Sequence, residues 1–489
     1  MGQKEKSIIR SLLDPTILLD EISFRDAEEG TDVDNAAPNR GTKLQKELGN
    51  TFPLIQINDY ILHQEEVEKV VIDNTGFLPI IDLRFTLGAS PSTFVSTAMP
   101  KDGDRINIFI RARDDAFKPI RNDYLVTDVS TTKGANNQGD GMTIRISGEL
   151  FVPGINDERI VAFNGNSIDV LEEIANELGL GFATNEVGTS DEQTWICAND
   201  TYANFIHHIV DSSWKDEKSY FTAFIDVYYH LNFINTSNQF GDITQIDDAL
   251  IDTLISQDTK EGEEISMGVE KKIFTNVEDR KGTNMYISNY RVINNSSEIA
   301  KRYGYKMHCE FFEQNSLEKW DIYTEPIITE GSENDKIILK GKAGEDFYKT
   351  QLKKRWAGIQ YSRDEHNVHE KYLYSQVHNL MNNMELEKMK LEIEVPRANF
   401  NIYRGERIPC ILISSGDPMK TAFLETEEEI KEGGEFNKPG RPVMDKFYSG
   451  FYMIQGMIFK YQARNPNNTQ EFGHFTEEVV LTRREWPTP

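Results

Sequence analysis

The 489-residue chain is poor in cysteine, with only Cys197, Cys309 and Cys410. They are isolated, odd in number and outside any metal-ligand spacing, so neither a disulfide framework nor a cysteine-built zinc motif can be read from them. Each lies in an apolar strand-like context and reads as structural. Long apolar runs are missing too: no segment stays apolar for eighteen residues, so none reads as a membrane-spanning helix. The opening MGQKEKSIIRSLLDPTILLDEI lacks the long apolar core of a secretory signal. Positive charge is in deficit, with 53 Lys and Arg against 80 Asp and Glu, a formal net charge of -27. Such a chain repels nucleic acid and anionic membranes at long range, which argues against a protein that reads DNA or RNA. A passage that must not grip a polyanion is compatible with an acidic or neutral wall; solubility is the simpler reason for the charge.

Catalytic signatures are also missing. There is no G-x-x-x-x-G-K-[ST], no G-x-G-x-x-G, no H-E-x-x-H and no G-x-S-x-G. The glycines of ELGLGFATN stand at a helix end, where capping explains them. His366, His369 and Glu370 in RDEHNVHEKY have a spacing that suits either one cation on a helix face or a solvated helix start, with His378 as a third ligand to consider. The sequence does not decide between these. His207 and His208 point to two different helix faces, one expected packed and one exposed. Carboxylate pairs are unavoidable among eighty acids, and only their separation in space would test a hydrolytic pair. No catalytic residue, metal site or cofactor site is nominated.

What is present is β-structure. Aromatics are plentiful, with 27 Phe and 19 Tyr. Residues 1–50 read as an arm and linker, with an amphipathic SIIRSLLDPTILLDEI before a polar stretch rich in turn residues. Residues 51–155 read as a first β domain of about six strands, a small barrel or sandwich, from TFPLIQIN to MTIRISGELFV. Residues 156–260 change period to a small α/β domain. One helix there is expected in NSIDVLEEIANELGLGF, capped by Asn166 or Ser167 and stopped by Gly179; another, in NDTYANFIHHIVDSSW, has Asp200 as its expected cap. SYFTAFIDVYYHLNFIN then reads as two strands or one long bent one. Residues 261–489 read as a second β domain, with helical and polar additions over 337–390 and an acidic loop insertion over 416–446; a short helix is expected at SSEIAKRYG.

Two stretches echo each other: Gly103-Asp104-Arg105-Ile106 in the first β block and Gly405-Glu406-Arg407-Ile408 in the second. Both are turns that feed apolar strands. Four residues do not establish a duplication by themselves. The order of patterns adds to them. SIDVLEEIANELGLGFATN, TWICANDTYANFIHHIVDSS and SYFTAFIDVYYHLNFIN resemble the α/β domain of phage tail hub proteins. PKDGDRINIFIRARDDAFKPIRNDYLVTDV resembles their first barrel. LEIEVPRANFNIYRGERIPCILI, SGFYMIQGMIFKYQ and FTEEVVLTRREWP resemble their second. The family is the baseplate central hub of contractile-tailed bacteriophages, related to the hub part of type VI secretion spike proteins, and the resemblance covers nearly all of residues 51–486.

That resemblance implies two similar tail-tube-like β-barrels per chain, and a homotrimer whose six barrels form a pseudo-sixfold ring. Such a ring would match the sixfold tail tube on one side and a threefold central spike on the other. DNA would pass through the lumen without specific binding. The implied protein is structural and non-enzymatic. Its place is the tail baseplate of a virion assembled in the host cytoplasm, and its partners are the tail tube protein, a separate spike protein and baseplate wedge or tape-measure components. Strand edges on two barrels must be covered or paired, which a closed ring achieves through repeated heterologous contacts. Arg483, Arg484 and Trp486 in LTRREWPTP are the candidate anchors for a partner or neighbour, against the simpler reading of a strand end with flanking charges. No β-helix follows Pro489, so the spike is expected as another chain. Two rival readings stand: a tail-associated peptidoglycan hydrolase, and a receptor- or glycan-binding tail protein.

Overall fold

A computed structural model of the chain describes residues 53–239 with short gaps (59, 64–65, 88–93, 97, 111–118 and 134–140), then 273–276, 285–295, 306–313, 319–324, 353–360, 368–414 without 397, 443–462 without 446–447, and 474–483. The first block contains β1 (Leu54–Ile57), β2 (Tyr60–Ile61), β3 (Val67–Asn74), β4 (Ile80–Leu87), β5 (Arg105–Ile110), β6 (Ile120–Lys133) and β7 (Met142–Leu150). The α/β unit is β8 (Glu158–Gly165), α1 (Ser167–Leu178), β9 (Gly181–Thr184), β10 (Gln193–Thr201), α2 (Tyr202–Ser212), β11 (Phe221–Ile225) and β12 (His230–Asn235). The last part begins with β13 (Phe274–Thr275), β14 (Met285–Tyr286), β15 (Asn289–Asn294), β16 (Lys306–Glu313), β17 (Lys319–Thr324) and β18 (Lys353–Gln360). It continues with α3 (Tyr372–Leu386), β19 (Met389–Val395), β20 (Arg407–Ile411), β21 (Ile413–Ser414), β22 (Val443–Met444), β23 (Gly450–Gln462) and β24 (His474–Thr482). The architecture is mostly β with few helices.

Alternation builds the first block. In β3 and β4 the buried positions recur at every second residue: Val70 and Ile72 in one, Ile81, Leu83 and Phe85 in the other. Strands from both β blocks share a 14-stranded sheet, because β3 pairs with β23 across almost the whole chain. Its inward faces and the α/β unit feed one apolar core, reaching from Ile55 through Leu171 to Leu481. β16, β17 and β18 form a separate small sheet that, with α3, stands between β15 and β19 in the chain.

In the α/β unit, Asn166 accepts from Asp169 N–H (3.0 Å), and Gly179 ends α1 in the left-handed conformation at φ 75°, as its sequence requires. The cap of α2 is Thr201 rather than Asp200: the Thr201 hydroxyl accepts from Asn204 N–H, while Asp200 instead accepts from Thr201 N–H and the Asn204 amide. A bulge between Ala198 and Asp200 moves the helix start along by that residue. The aromatic stretch is two strands, the hairpin β11–β12, turned by residues 226–229. His207 and His208 are both on the open side of α2, each beside an aromatic ring, Phe77 and Tyr372 respectively, so neither is packed inside.

α3 closes the carbonyl end of α2. Asn379 Nδ2 donates to Asp211 O and Ser213 O (2.9 Å each) and to Val210 O (3.2 Å), and its Oδ1 accepts from Phe221 N–H. Ser375 Oγ donates to Ser212 O at 2.8 Å. These bonds satisfy carbonyls that a helix end leaves without partners, and they dock the last block on the α/β unit. The helix expected at 296–304 lies outside the described residues.

Candidate functional site

The two echoing stretches adopt the same turn. Gly103 and Gly405 both take positive φ, 88° and 83°, a region that glycine enters without strain. Each acid closes its own turn: Asp104 accepts from Lys101 N–H (2.9 Å) and Glu406 from Tyr403 N–H (3.1 Å). Backbone bonds repeat as well. Gly103 N–H donates to Val126 O and Val126 N–H to Asp104 O; Gly405 N–H donates to Ile454 O and Ile454 N–H to Glu406 O. The arginine that follows lies over an aromatic ring in both, Arg105 over Phe151 at 3.8 Å and Arg407 over Phe451 at 4.6 Å. These two rings come from different places, the residue after β7 and the start of β23. A buried tyrosine stands opposite the isoleucine of each turn: Ile106 pairs with Tyr124 and Ile408 with Tyr452. One residue past the bonded Val126 or Ile454, each partner strand bulges, between Val126 and Asp128 in β6 and between Ile454 and Gly456 in β23.

Around these turns the strand order is the same. Five antiparallel strands run β3-β4-β7-β6-β5 in the first block and β15-β19-β24-β23-β20 in the second. In chain order both read first, second, fifth, fourth, third. Cross-strand rows correspond residue by residue: Val129–Ile146–Leu83–Val70 in one sheet, Met457–Val479–Ile393–Tyr290 in the other. The copies differ beyond the fifth position, where β1 lies antiparallel to β5 but β13 lies parallel to β20.

The copies meet at one junction. β23 pairs with β24 along one edge and forks on the other: its start pairs with β20, and Met457–Gln462 pair with Lys69–Asn74 of β3. Phe459 faces Ile72 and Tyr461 faces Val70, all fully buried. Arg404, just before the second turn, donates to Gly76 O and lies 4.2 Å over the Phe224 ring of the α/β unit. Burial there pushes its guanidinium down to about 10, against the pull of Asp73. The junction thus ties all three units together. Among the described residues it brings together no nucleophile–base pair.

The sequence-nominated residues lie elsewhere. Arg483 is turned inward, 7% exposed; its Nη1 donates to Ser449 O (3.0 Å) and its guanidinium lies 5.0 Å from the centre of the Tyr452 ring. Arg484 and Trp486 lie outside the described residues, as does His366. His369 is buried, with Nε2 3.0 Å from Ser212 O, and His378 Nε2 is 3.1 Å from Ser219 O, so each ring meets a different backbone carbonyl. Among the described residues no three metal-ligating side chains converge, and no helix is long and apolar enough to cross a membrane. Sequence reading missed the β3–β23 junction. Its local signal was Gly456 in the middle of an apolar strand, a mark of a bulge or close backbone approach.

No family model matches this sequence, and neither does any curated protein. Among solved structures, a tail protein from Neisseria meningitidis is similar at 10% identity, covering 88% of this chain and 96% of that one, with a TM-score of 0.45. A 43 kDa tail protein of prophage MuSo2 from Shewanella oneidensis is similar at 9% identity, covering 88% of this chain and 98% of that one, with a TM-score of 0.45. A chain of the Francisella PdpA-VgrG complex is similar at 9% identity over 91% of this chain and 61% of that one, with a TM-score of 0.40.

Proposed function

We propose that this chain is a structural protein of a bacteriophage tail, the central baseplate hub, acting as a homotrimer that adapts a sixfold tail tube to a threefold spike. One observation carries the reading: the same five-strand sheet, with the same turn and the same bulge, occurs twice in one polypeptide. A chain with two copies of one unit gives six units when three chains surround an axis, so a threefold assembly can present a near-sixfold face. The strand patterns quoted above resemble those of hub proteins in the same order along the chain. The net charge of -27 suits a lumen that lets DNA pass without holding it. The partners in this reading are the tail tube protein, a spike, and wedge or tape-measure components. The test is solution mass with low-resolution imaging of the purified protein. A particle of three times the 56.1 kDa chain mass, with an axial hole, supports the hub. A monomer at every concentration tried, or a particle without a hole, overturns it.

A further inference from the structure

The repeat leaves a pair of strand edges that mirror the internal junction. β6 forks as β23 does: its start pairs with β5, whereas Asp128–Lys133 pair with β7 on one edge and with no described strand on the other. β15, the counterpart of β3, pairs only with β19 among the described strands. The exposure of these edges fits missing partners. Tyr290 is 40% exposed where its counterpart Val70 is 0% exposed, and Ser130, Thr131 and Thr132 are exposed. Edges with no described partner strand are templates for another strand.

We infer that β15 of one chain pairs antiparallel with the second half of β6 of a second copy, repeating between chains the junction that β3 and β23 make within one. The cross-strand rows fix the register. Met457–Asn74, Phe459–Ile72 and Lys460–Val71 within the chain become Val129–Asn294, Thr131–Val292 and Thr132–Arg291 between chains. The contact is heterologous, since β6 and β15 are different surfaces, so it propagates from chain to chain, and in the homotrimer three such contacts close the ring. One residue limits it. Within the chain Gly456 leaves room for Thr75, but Asp128 occupies the matching place in β6, so the pairing strand turns away after Asn294 instead of lying over Asp128.

This inference rests on the homotrimeric reading and is separable from it. The experiment is disulfide trapping in the full chain carrying Thr132→Cys and Arg291→Cys, both at exposed positions, under mild oxidation. Expected are covalent dimers and trimers on a non-reducing gel, absent from either single variant. Thr132→Cys with Tyr290→Cys is one residue out of register, which turns the two thiols to opposite faces, and should not cross-link. A trimer by mass with no in-register cross-link overturns the inference and leaves the hub reading standing. A monomer overturns both, and cross-linking only in the out-of-register pair overturns the assigned register. Hydrogen exchange on the unsubstituted protein guards against misfolded variants: the outward amides of 129–133 and 289–294 should be protected in the assembly, and free exchange there counts against the pairing.

Discussion

Gly456→Ala probes the internal junction most directly. The residue has an ordinary extended backbone, so a side chain there causes no strain of its own. The obstacle is Thr75 in the β3–β4 turn: a Cβ on Gly456 would stand 2.7 Å from Thr75 Cγ2, 3.1 Å from its Cβ and 3.2 Å from its Cα. Cγ2 can rotate away. Cβ and Cα cannot move without the turn, and Asp73 Oδ1 fixes that turn by accepting from Thr75 N–H at 3.0 Å. Relief therefore requires β3 to draw back from β23, opening the Met457–Asn74 end of the pairing. Overpacking of this kind costs about 1–3 kcal/mol, of which replacing a strand glycine returns about 0.5–1 kcal/mol. Because the Thr75 Cβ and Cα cannot rotate away, the cost lies in the upper half of that range, about 2–3 kcal/mol, and the net loss expected is about 1–2 kcal/mol. Thr75→Gly in the same chain removes the two nearer contacts and should recover about 1 kcal/mol through direct coupling. The assay is native-state hydrogen exchange of the β3 amides with calorimetric melting alongside, since local opening is read residue by residue. A neutral or stabilising Gly456→Ala, or a double-mutant cycle with Thr75→Gly that shows no coupling, refutes the reasoning.

Three further outcomes are expected. Glu477 is fully buried with Oε2 accepting from Asn399 N–H, and burial pushes its carboxyl from 4.5 up to about 8. Between those values the unfolded chain is ionised and the folded one protonated, so stability falls as pH rises, by about 1.4 kcal/mol per unit, and levels off above the upper value. Glu477→Gln should remove that slope, seen as melting temperatures at pH 5 and pH 7.5 that differ less than in the wild type; an unchanged difference refutes it. Gly103→Ala and Gly405→Ala should each cost about 1 kcal/mol by thermal melting, because both pay for positive φ and a Cβ would meet nothing closer than 3.5 Å at either; a cost at one site only would separate the two turns. Asn379→Leu leaves the carbonyls of Val210, Asp211 and Ser213 and the Phe221 N–H without that side chain, and should cost about 2–4 kcal/mol with lost exchange protection at the end of α2.

Local pattern made the strands of the first block and both helices of the α/β unit legible. Alternation of Val, Ile and Leu in β3 and β4 and the Asn166–Gly179 frame of α1 are short-range signals that tertiary context did not override. Among the described residues of KKIFTNV, an apolar β-branched stretch, the strand is the pair Phe274 and Thr275, laid parallel to β14 and β20. The placement of Asp200 as a cap missed by one residue because a bulge cannot be seen in periodicity. The spacing of His366, His369 and Glu370 leaves a cation site or a solvated helix start open, yet the His369 ring is buried against the Ser212 carbonyl, a contact between residues far apart in the chain. The β3–β23 pairing was beyond reach for the same reason: register between remote strands is set by packing across the sheet, and only Gly456 carried a trace of it.

The chemistry of the two kinds of edge differs in the direction that assembly requires. β3 and the second half of β23 meet inside one chain as it folds, so their core-facing positions can be apolar, with Ile72 against Phe459 and Val70 against Tyr461. An edge that waits in water for another molecule cannot be that apolar without sticking to wrong partners. β6 shows the compromise, with Ser130-Thr131-Thr132 where β23 has Ile458-Phe459-Lys460; β15 carries three polar residues of six, Asn289, Arg291 (held by Glu392 of β19) and Asn294, as the paired half of β3 does with Lys69, Asp73 and Asn74. Residues with high β propensity but little hydrophobicity give main-chain pairing its chance while leaving the free chain soluble. The same backbone design thus serves twice, and the difference lies in one strand, apolar in β23 where the contact is made within the chain and polar in β6 where it must be found.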